Sequence, residues 1–417
     1  MLENFREFFK GLDKRVKVTI AGSGIQNWSQ SLASQYNQLY AEGLGAGYVE
    51  IGALNSIGAA ITSIVSVPLG WAVERYGVKM VILLGLACSI LSASIYALAG
   101  GWWILIPAII LSSISMRIIN PLTDVIFISC TRSDRSGTVM GLSRVVWGIL
   151  NVFAPMTAAM IVTNFGGINA RGIRPLYIIQ ILLAAFVFLF LASKLQPLPA
   201  HADRDGDRLG SGVSGMVQDF RELFKGEEGL KRWMVLRLIR QFGMSIAMPF
   251  TALWMVNSKG ADPYILGVMG SAAAMVSTLL QIPAGRLADR IGRKKVFFLL
   301  RPFTYLGTIL MILAPRPEYL VLVGLLGAVG MRGGAGGVSF TPFITMHWEM
   351  VPGEKRGRWF GVEGLIGIAT IPATILGGVL WQYGFMREVL LIPIVLEVLV
   401  VIPLLMTIPD TLGRNER

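Results

Sequence analysis

Apolar residues along this chain gather in runs of roughly 20, the length that carries a helix across ~30 Å of hydrocarbon, and short polar or charged stretches separate them. The first six runs cover about 16–40, 48–72, 78–98, 102–129, 137–164 and 175–192. Six more cover about 231–256, 264–288, 296–313, 319–348, 358–381 and 389–407. The pattern predicts an all-α integral membrane fold with 12 transmembrane helices in two six-helix bundles. Between the sets lies 194–229, whose HADRDGDRLGSG run is too polar for the bilayer and too rich in Gly and Asp to pack a core. The expected domains are therefore a bundle over 1–193, a cytoplasmic linker over 194–229 and a bundle over 230–417. Leu2, Phe5, Phe9 and Leu12 share one helical face, which suits a helix lying in the membrane surface, and 213–225 offers a second such helix inside the linker.

Composition agrees with that pattern. Of the 417 residues 54% are hydrophobic and only 15% charged, against about a quarter charged in a soluble chain. The net charge of +12 sits in short patches between apolar runs rather than on a face or an arm, so nucleic acid is not an expected partner. Two cysteines, Cys88 and Cys130, support neither a disulfide framework nor a metal site, and no cleavable signal peptide is visible. Counting Lys and Arg in alternate loops puts Lys14, Arg15, Lys17, Arg75, Lys79, Arg132, Arg135, the linker, Arg293, Lys294, Lys295, Lys355, Arg356 and Arg358 on one side. The other side holds Arg171, Arg174, Lys259, Arg316 and Arg387. Both termini and the linker are thus expected in the cytoplasm, in a multi-pass protein of the cell membrane.

A repeat organises the whole. PAGRLADRIGRKK, from Pro283 to Lys295, has a fainter copy in PLGWAVERYGVK, from Pro68 to Lys79. Gly70 falls on Gly285, Glu74 on Asp289, Arg75 on Arg290, Gly77 on Gly292 and Lys79 on Lys294, each 215 positions apart (294 − 79 = 215). The same step relates Phe5-Arg6-Glu7 to Phe220-Arg221-Glu222 and Arg117 to Arg332. A step slightly over half the chain reads as two homologous, pseudo-symmetric halves. Small residues at Gly70 and Gly285 suit close helix approach, and the acid beside each can pair with the arginine or face a helix N-terminus.

Twelve helices in two repeats, a long linker, and G-x-x-x-[DE]-R-x-G-x-[KR] after spans two and eight resemble the major facilitator superfamily of secondary transporters. The likeness covers essentially the whole chain. Arg135-Ser136-Gly137 after span four and Arg356-Gly357-Arg358 after span ten echo the same family. Arg117 with Asn120 is similar to an arginine signature of its proton-coupled members, and Gly141 with Ala154-Pro155 to a degraded exporter pattern. The resemblance implies that the duplicated loop is a cytoplasmic latch, closed in one state and broken in the other.

Charged side chains inside the bilayer need a partner or water. Arg117, Asn120 and Asp124 lie on one face of span four, and Asp124 and Arg144 sit ten residues either side of the turn at Asp134, hence at equal depth. They are expected to pair, with Asp124, Arg144 and Glu363 as proton-coupling candidates. Arg301 and Glu397 lie at comparable depth in spans nine and twelve and read as a structural ion pair. Arg237 or Arg240 is expected to meet Glu363. Gln26, Gln30 and Asn37 in span one, with Arg117, Asn120, Arg237 and Gln241, are the candidate substrate-cavity residues. They have a second reading as bonds between helices. His347 is expected at the cytoplasmic interface. The Gly330–Gly337 run lacks the strand and the Lys-Ser/Thr of a phosphate loop, so it is expected to make span ten thin and bendable.

The functional expectation is a monomeric secondary transporter without a cofactor, and not an enzyme. It moves a small-molecule substrate across the lipid bilayer with protons, in the direction of export of an organic or amphipathic compound. An organic-anion carrier is the alternative, because Arg117, Arg144, Arg237 and Arg240 make the interior basic. A receptor or scaffold on the same fold is the alternative of another class.

Overall fold

The structure is a computed structural model and describes residues 12–131, 136–196, 228–331, 333–351 and 356–408. Every regular element among them is helical. Span one runs Lys14–Ser34 and, after a break at Gln35 and Tyr36, continues as Asn37–Gly43. Spans two and three form one stretch, Tyr48–Leu98, that turns at Gly77. Spans four, five and six are Leu105–Ser129, Ser136–Asn164 and Ala170–Lys194. Span seven begins as Glu228–Ala247 and ends in a π-helical turn, Trp254–Ser258. Spans eight and nine are Pro263–Ile291 and Arg293–Leu313. Span eleven is Arg356–Gln382, and span twelve is Met386–Leu396 with a π-turn at Glu397–Val401 and a last piece, Ile402–Thr407. The two surface helices expected at 2–12 and 213–225 fall, but for Leu12, outside the described residues.

Span ten departs from the continuous helix that its apolar length suggests. It is helical over Leu320–Leu326, breaks, and resumes as Gly334–Gly337 and Phe340–Met350. Gly327, Gly330 and Gly334 take φ values of 84°, 81° and 73°, a region that side chains with a Cβ rarely enter. The break lets backbone meet backbone: a Cβ on Gly307 of span nine would come 1.9 Å from the Gly327 carbonyl oxygen.

Helix starts are written locally. Asp13, Asn169 and Asp262 each cap a span, accepting from the backbone N–H of Arg15, Gly172 and Ile265 at 2.7, 2.8 and 2.7 Å. Eight of the described helices are long and apolar enough to cross a membrane. Span one is kept off that tally by its amides and span seven by its arginines. Side chains such as Leu182, Leu189, Leu279 and Leu313 point outward, an apolar exterior that a bilayer accommodates and water does not.

The chain forms two compact units. The first comprises 1–45 and 64–202, the second 46–63 and 203–417. The first unit is cored by Val81, Leu86, Ile119, Ile126 and Leu191. The second is cored by Trp233, Phe297, Phe343 and Met346. The division cuts through span two. Its first part, 46–63, packs in the second unit on span eleven through small residues: Cβ atoms on Gly52 and Gly378 would each come 2.4 Å from a backbone oxygen, of Thr374 and Tyr48. Ser56 Oγ meets Thr374 Oγ1 at 2.5 Å and donates to the Ile371 carbonyl at 2.6 Å.

Candidate functional site

The duplicated loop has a common backbone. Gly77 and Gly292 both stand at a helix-to-helix turn, with φ/ψ of 76°/156° and 106°/145°, a region essentially reserved for glycine. Two residues on, Lys79 Nζ donates to the Ala192 carbonyl at 2.9 Å, at the end of span six. Lys294 Nζ donates to the Met406 and Ile408 carbonyls at 3.1 and 2.7 Å, at the end of span twelve. The two acceptors of Lys294 bracket the position 215 beyond Ala192 (192 + 215 = 407). In each unit, then, the motif lysine caps the C-terminus of the last span, where the unpaired carbonyls and the helix dipole favour a cation.

The acids of the motif differ. Asp289 pairs with Arg293 at 2.8 Å, one turn on, and Arg293 reaches Glu349 at the end of span ten, also at 2.8 Å. Sequence reasoning passed over Arg293 and Glu349, although the i,i+4 spacing of Asp289 and Arg293 was there to read. Gly285 corrects the close-approach expectation: a Cβ there would meet nothing within 4 Å. Arg75 and Arg290 are exposed. The side chains of Gly70's neighbour Trp71 and of Glu74 lie outside what the structure describes.

A charge cluster gathers in the second unit. Arg301 and Glu397, 4% and 1% exposed, form a two-pronged pair in which Arg301 Nε donates to Oε1 at 2.6 Å and Nη2 to Oε2. Glu397 stands where span twelve widens into its π-turn, a geometry often found at functional positions. Arg240 approaches the same carboxylate at 3.8 Å and lies over the Phe343 ring at 4.4 Å. Its Nε is buried without a hydrogen-bond partner.

Arg237 turns elsewhere, to His347 Nε2 at 3.0 Å, while the Trp233 indole N–H donates to His347 Nδ1 at 2.5 Å. His347 is wholly buried in the last turn of span ten. Both neighbours are obligate donors, so a neutral imidazole, with one ring proton, accepts from only one of them at a time. The expected meeting of Arg237 or Arg240 with Glu363 falls outside what the structure describes, because the side chain of Glu363, like Arg332, lies outside the described set. Gln241 is exposed and donates to Ser245 Oγ at 3.5 Å.

In the first unit Asp124 and Arg144 do not close the expected salt bridge, although the Arg144 charge acts on the carboxylate. Asp124 is half-buried in span four while Arg144 is exposed on span five. Arg117 is half-buried and Asn120 exposed. The span-one amides mostly serve their own bundle. Gln26 donates to Ser89 Oγ at 3.0 Å, Ser31 to Asn151 at 3.0 Å, and Asn37 accepts from the Tyr177 hydroxyl at 3.0 Å. Gln30 is half-buried. Asn37 belongs to a knot of Tyr40, Tyr96 and Tyr177, in which Arg174 caps the Ala99 carbonyl at 2.6 Å. Its counterpart is Lys259, which donates to the Ala314 carbonyl at 2.9 Å (314 − 99 = 215). Burial pulls the Lys259 amine below the usual lysine range, with Arg387 adding to it.

Comparison with known proteins places these features. The family model described as Major Facilitator Superfamily matches residues 19–237 and again 233–417. An uncharacterised MFS-type transporter of Mycobacterium tuberculosis (strain CDC 1551 / Oshkosh) is 30% identical over 154 residues, 36% of this chain and 19% of that protein. Multidrug resistance protein 3 of Bacillus subtilis (strain 168) is 27% identical over 122 residues, 28% of this chain and 23% of that protein. The matches therefore span less than a quarter of either relative. Among solved structures, the nucleoside transporter NupG superposes with a TM-score of 0.70 at 15% identity, covering 94% of this chain and 98% of that one. A D-xylose-proton symporter superposes with a TM-score of 0.69 at 12% identity, covering 95% and 98%. At such identities the likeness is one of fold.

Proposed function

The chain belongs to the Major Facilitator Superfamily, and from that premise we propose that it is a secondary transporter that works by alternating access, coupled to protons and moving a small organic or amphipathic compound outward. The observation that carries the reading is span two. One continuous helix has its first part, 46–63, packed in the second unit and the remainder in the first. The strip meets span eleven through small side chains and the Ser56–Thr374 hydroxyl pair, beside the buried Ile51 and Leu54. The duplicated loop is the matching element on the cytoplasmic side. There Gly70, Glu74, Arg75, Gly77 and Lys79, with Gly285, Asp289, Arg290, Gly292 and Lys294, form the latch. Both termini face the cytoplasm, and the protein acts as a monomer in the cell membrane.

Asp124 is the coupling residue in this reading. It is a half-buried carboxylate in span four that feels the Arg144 charge without a salt bridge to it. Loading and release of a proton there needs no salt bridge to be broken first. Glu363 is the second candidate.

A second reading, a carrier of organic anions, is favoured by Arg240, whose buried Nε makes no hydrogen bond while Arg301 takes up Glu397. Flux in proteoliposomes under an imposed pH gradient separates the two. Counterflow of substrate against protons supports export, and co-movement of an anion supports the carrier. Absence of flux for every compound offered to wild-type protein counts against transport itself. We expect Asp124→Asn to abolish uphill flux driven by the gradient while substrate exchange at equal pH persists; loss of both, in folded protein, sinks the coupling role.

A further inference from the structure

Thr19, Ser23 and Gln26 stand at i, i+4 and i+7, one face of span one, and that face is turned into the first unit rather than away from it. There they line a cavity of about 10 Å³ together with Thr123 and apolar side chains of spans three, four and six such as Leu86 and Leu191. All the polar members are nearly inaccessible: Gln26 is 2% exposed and Thr19 3%. Two of their atoms, Gln26 Oε1 and Thr19 Oγ1, have no hydrogen-bond partner.

Most of the other hydrogens are already used. Ser23 Oγ donates to the Thr19 carbonyl at 2.6 Å, Thr123 Oγ1 to the Ile119 carbonyl at 2.8 Å, and the Gln26 amide nitrogen to Ser89 at 3.0 Å. What remains for the cavity is a set of oxygen lone pairs, the Thr19 hydroxyl proton and the second Gln26 amide hydrogen. Buried polar atoms in so apolar a setting call for an occupant that donates twice and accepts once.

We propose that this cavity is a binding site for a single water molecule, which donates to Gln26 Oε1 and to a Ser23 or Thr123 oxygen and accepts from Thr19. The size agrees, since about 10–15 Å³ admits one water. An all-oxygen lining also invites a sodium ion, but no carboxylate lines the cavity, and a bare cation there would sit uncompensated in an apolar bundle. The bound water makes Gln26 a positioning residue that holds the face of span one against spans three and four.

The test is an experimental density map of the full-length protein at a resolution that shows ordered water. The expected result is a peak within hydrogen-bond reach of both Gln26 Oε1 and Thr19 Oγ1, lost in Thr19→Val. In detergent, the melting-temperature losses of Thr19→Val and Gln26→Leu are expected to be less than additive in the double variant, because the two share one water. A wild-type cavity without density overturns the proposal. So does a melting temperature higher in sodium chloride than in choline chloride at equal ionic strength, which marks a cation site. If Gln26→Leu does not fold, the wild-type map and the salt comparison still decide.

Discussion

A guanidinium and a carboxylate taken out of water each cost several kcal/mol, so Arg301 and Glu397 are tolerable only together. Replacing either alone by methionine is expected to destabilise the protein by about 3–5 kcal/mol, and replacing both by much less. Thermal melts of the purified variants check this; single variants that melt with wild type would mean that water reaches the site. The pair was legible in the sequence because two charges at matching depth in apolar runs leave few other options. Asp124 and Arg144 looked equally good by that reckoning and do not meet. Depth along a helix follows from residue count, whereas the direction a side chain faces depends on how each helix is rotated in its bundle, which the sequence of two helices does not contain. The same limit hid the Arg237–His347–Trp233 chain and the bond from Gln26 to Ser89.

The repeated loop shows what a motif means once its backbone is known. Its glycines divide the labour: Gly77 and Gly292 hold turns that no side chain with a Cβ enters cheaply, while Gly285 has open space beside it. Gly77→Ala and Gly292→Ala are therefore expected to cost about 1–3 kcal/mol each. Lys79→Ala and Lys294→Ala, which remove a helix cap, are expected to cost only about 0.3–1 kcal/mol. Chemical denaturation of the four variants orders them, and an alanine at 77 that unfolds with wild type would show that the turn relaxes. Spans were legible as elements because hydrocarbon demands about twenty apolar residues whatever the partner. The interruption of span ten was legible only as a weakness, since a glycine run announces where a helix gives way but not which carbonyl it then approaches.

At the scale of the whole molecule, the doubled architecture was written in the 215-residue step, and it recurs in carbonyls capped by cations at both ends of the bundles. Sequence drew the border at the polar linker, where composition changes; the contacts draw a second border inside span two, where nothing in the residues changes. That second border bears on how the gene can be cut. A fragment beginning at 203 lacks 46–63 and leaves the Thr374 hydroxyl and the backbone groove beside Gly378 uncovered, so it is expected to aggregate when expressed alone. Co-expression with residues 1–202 supplies the missing strip in trans, and complementation of that kind, read as recovery of soluble, monodisperse material in detergent, is the expected outcome.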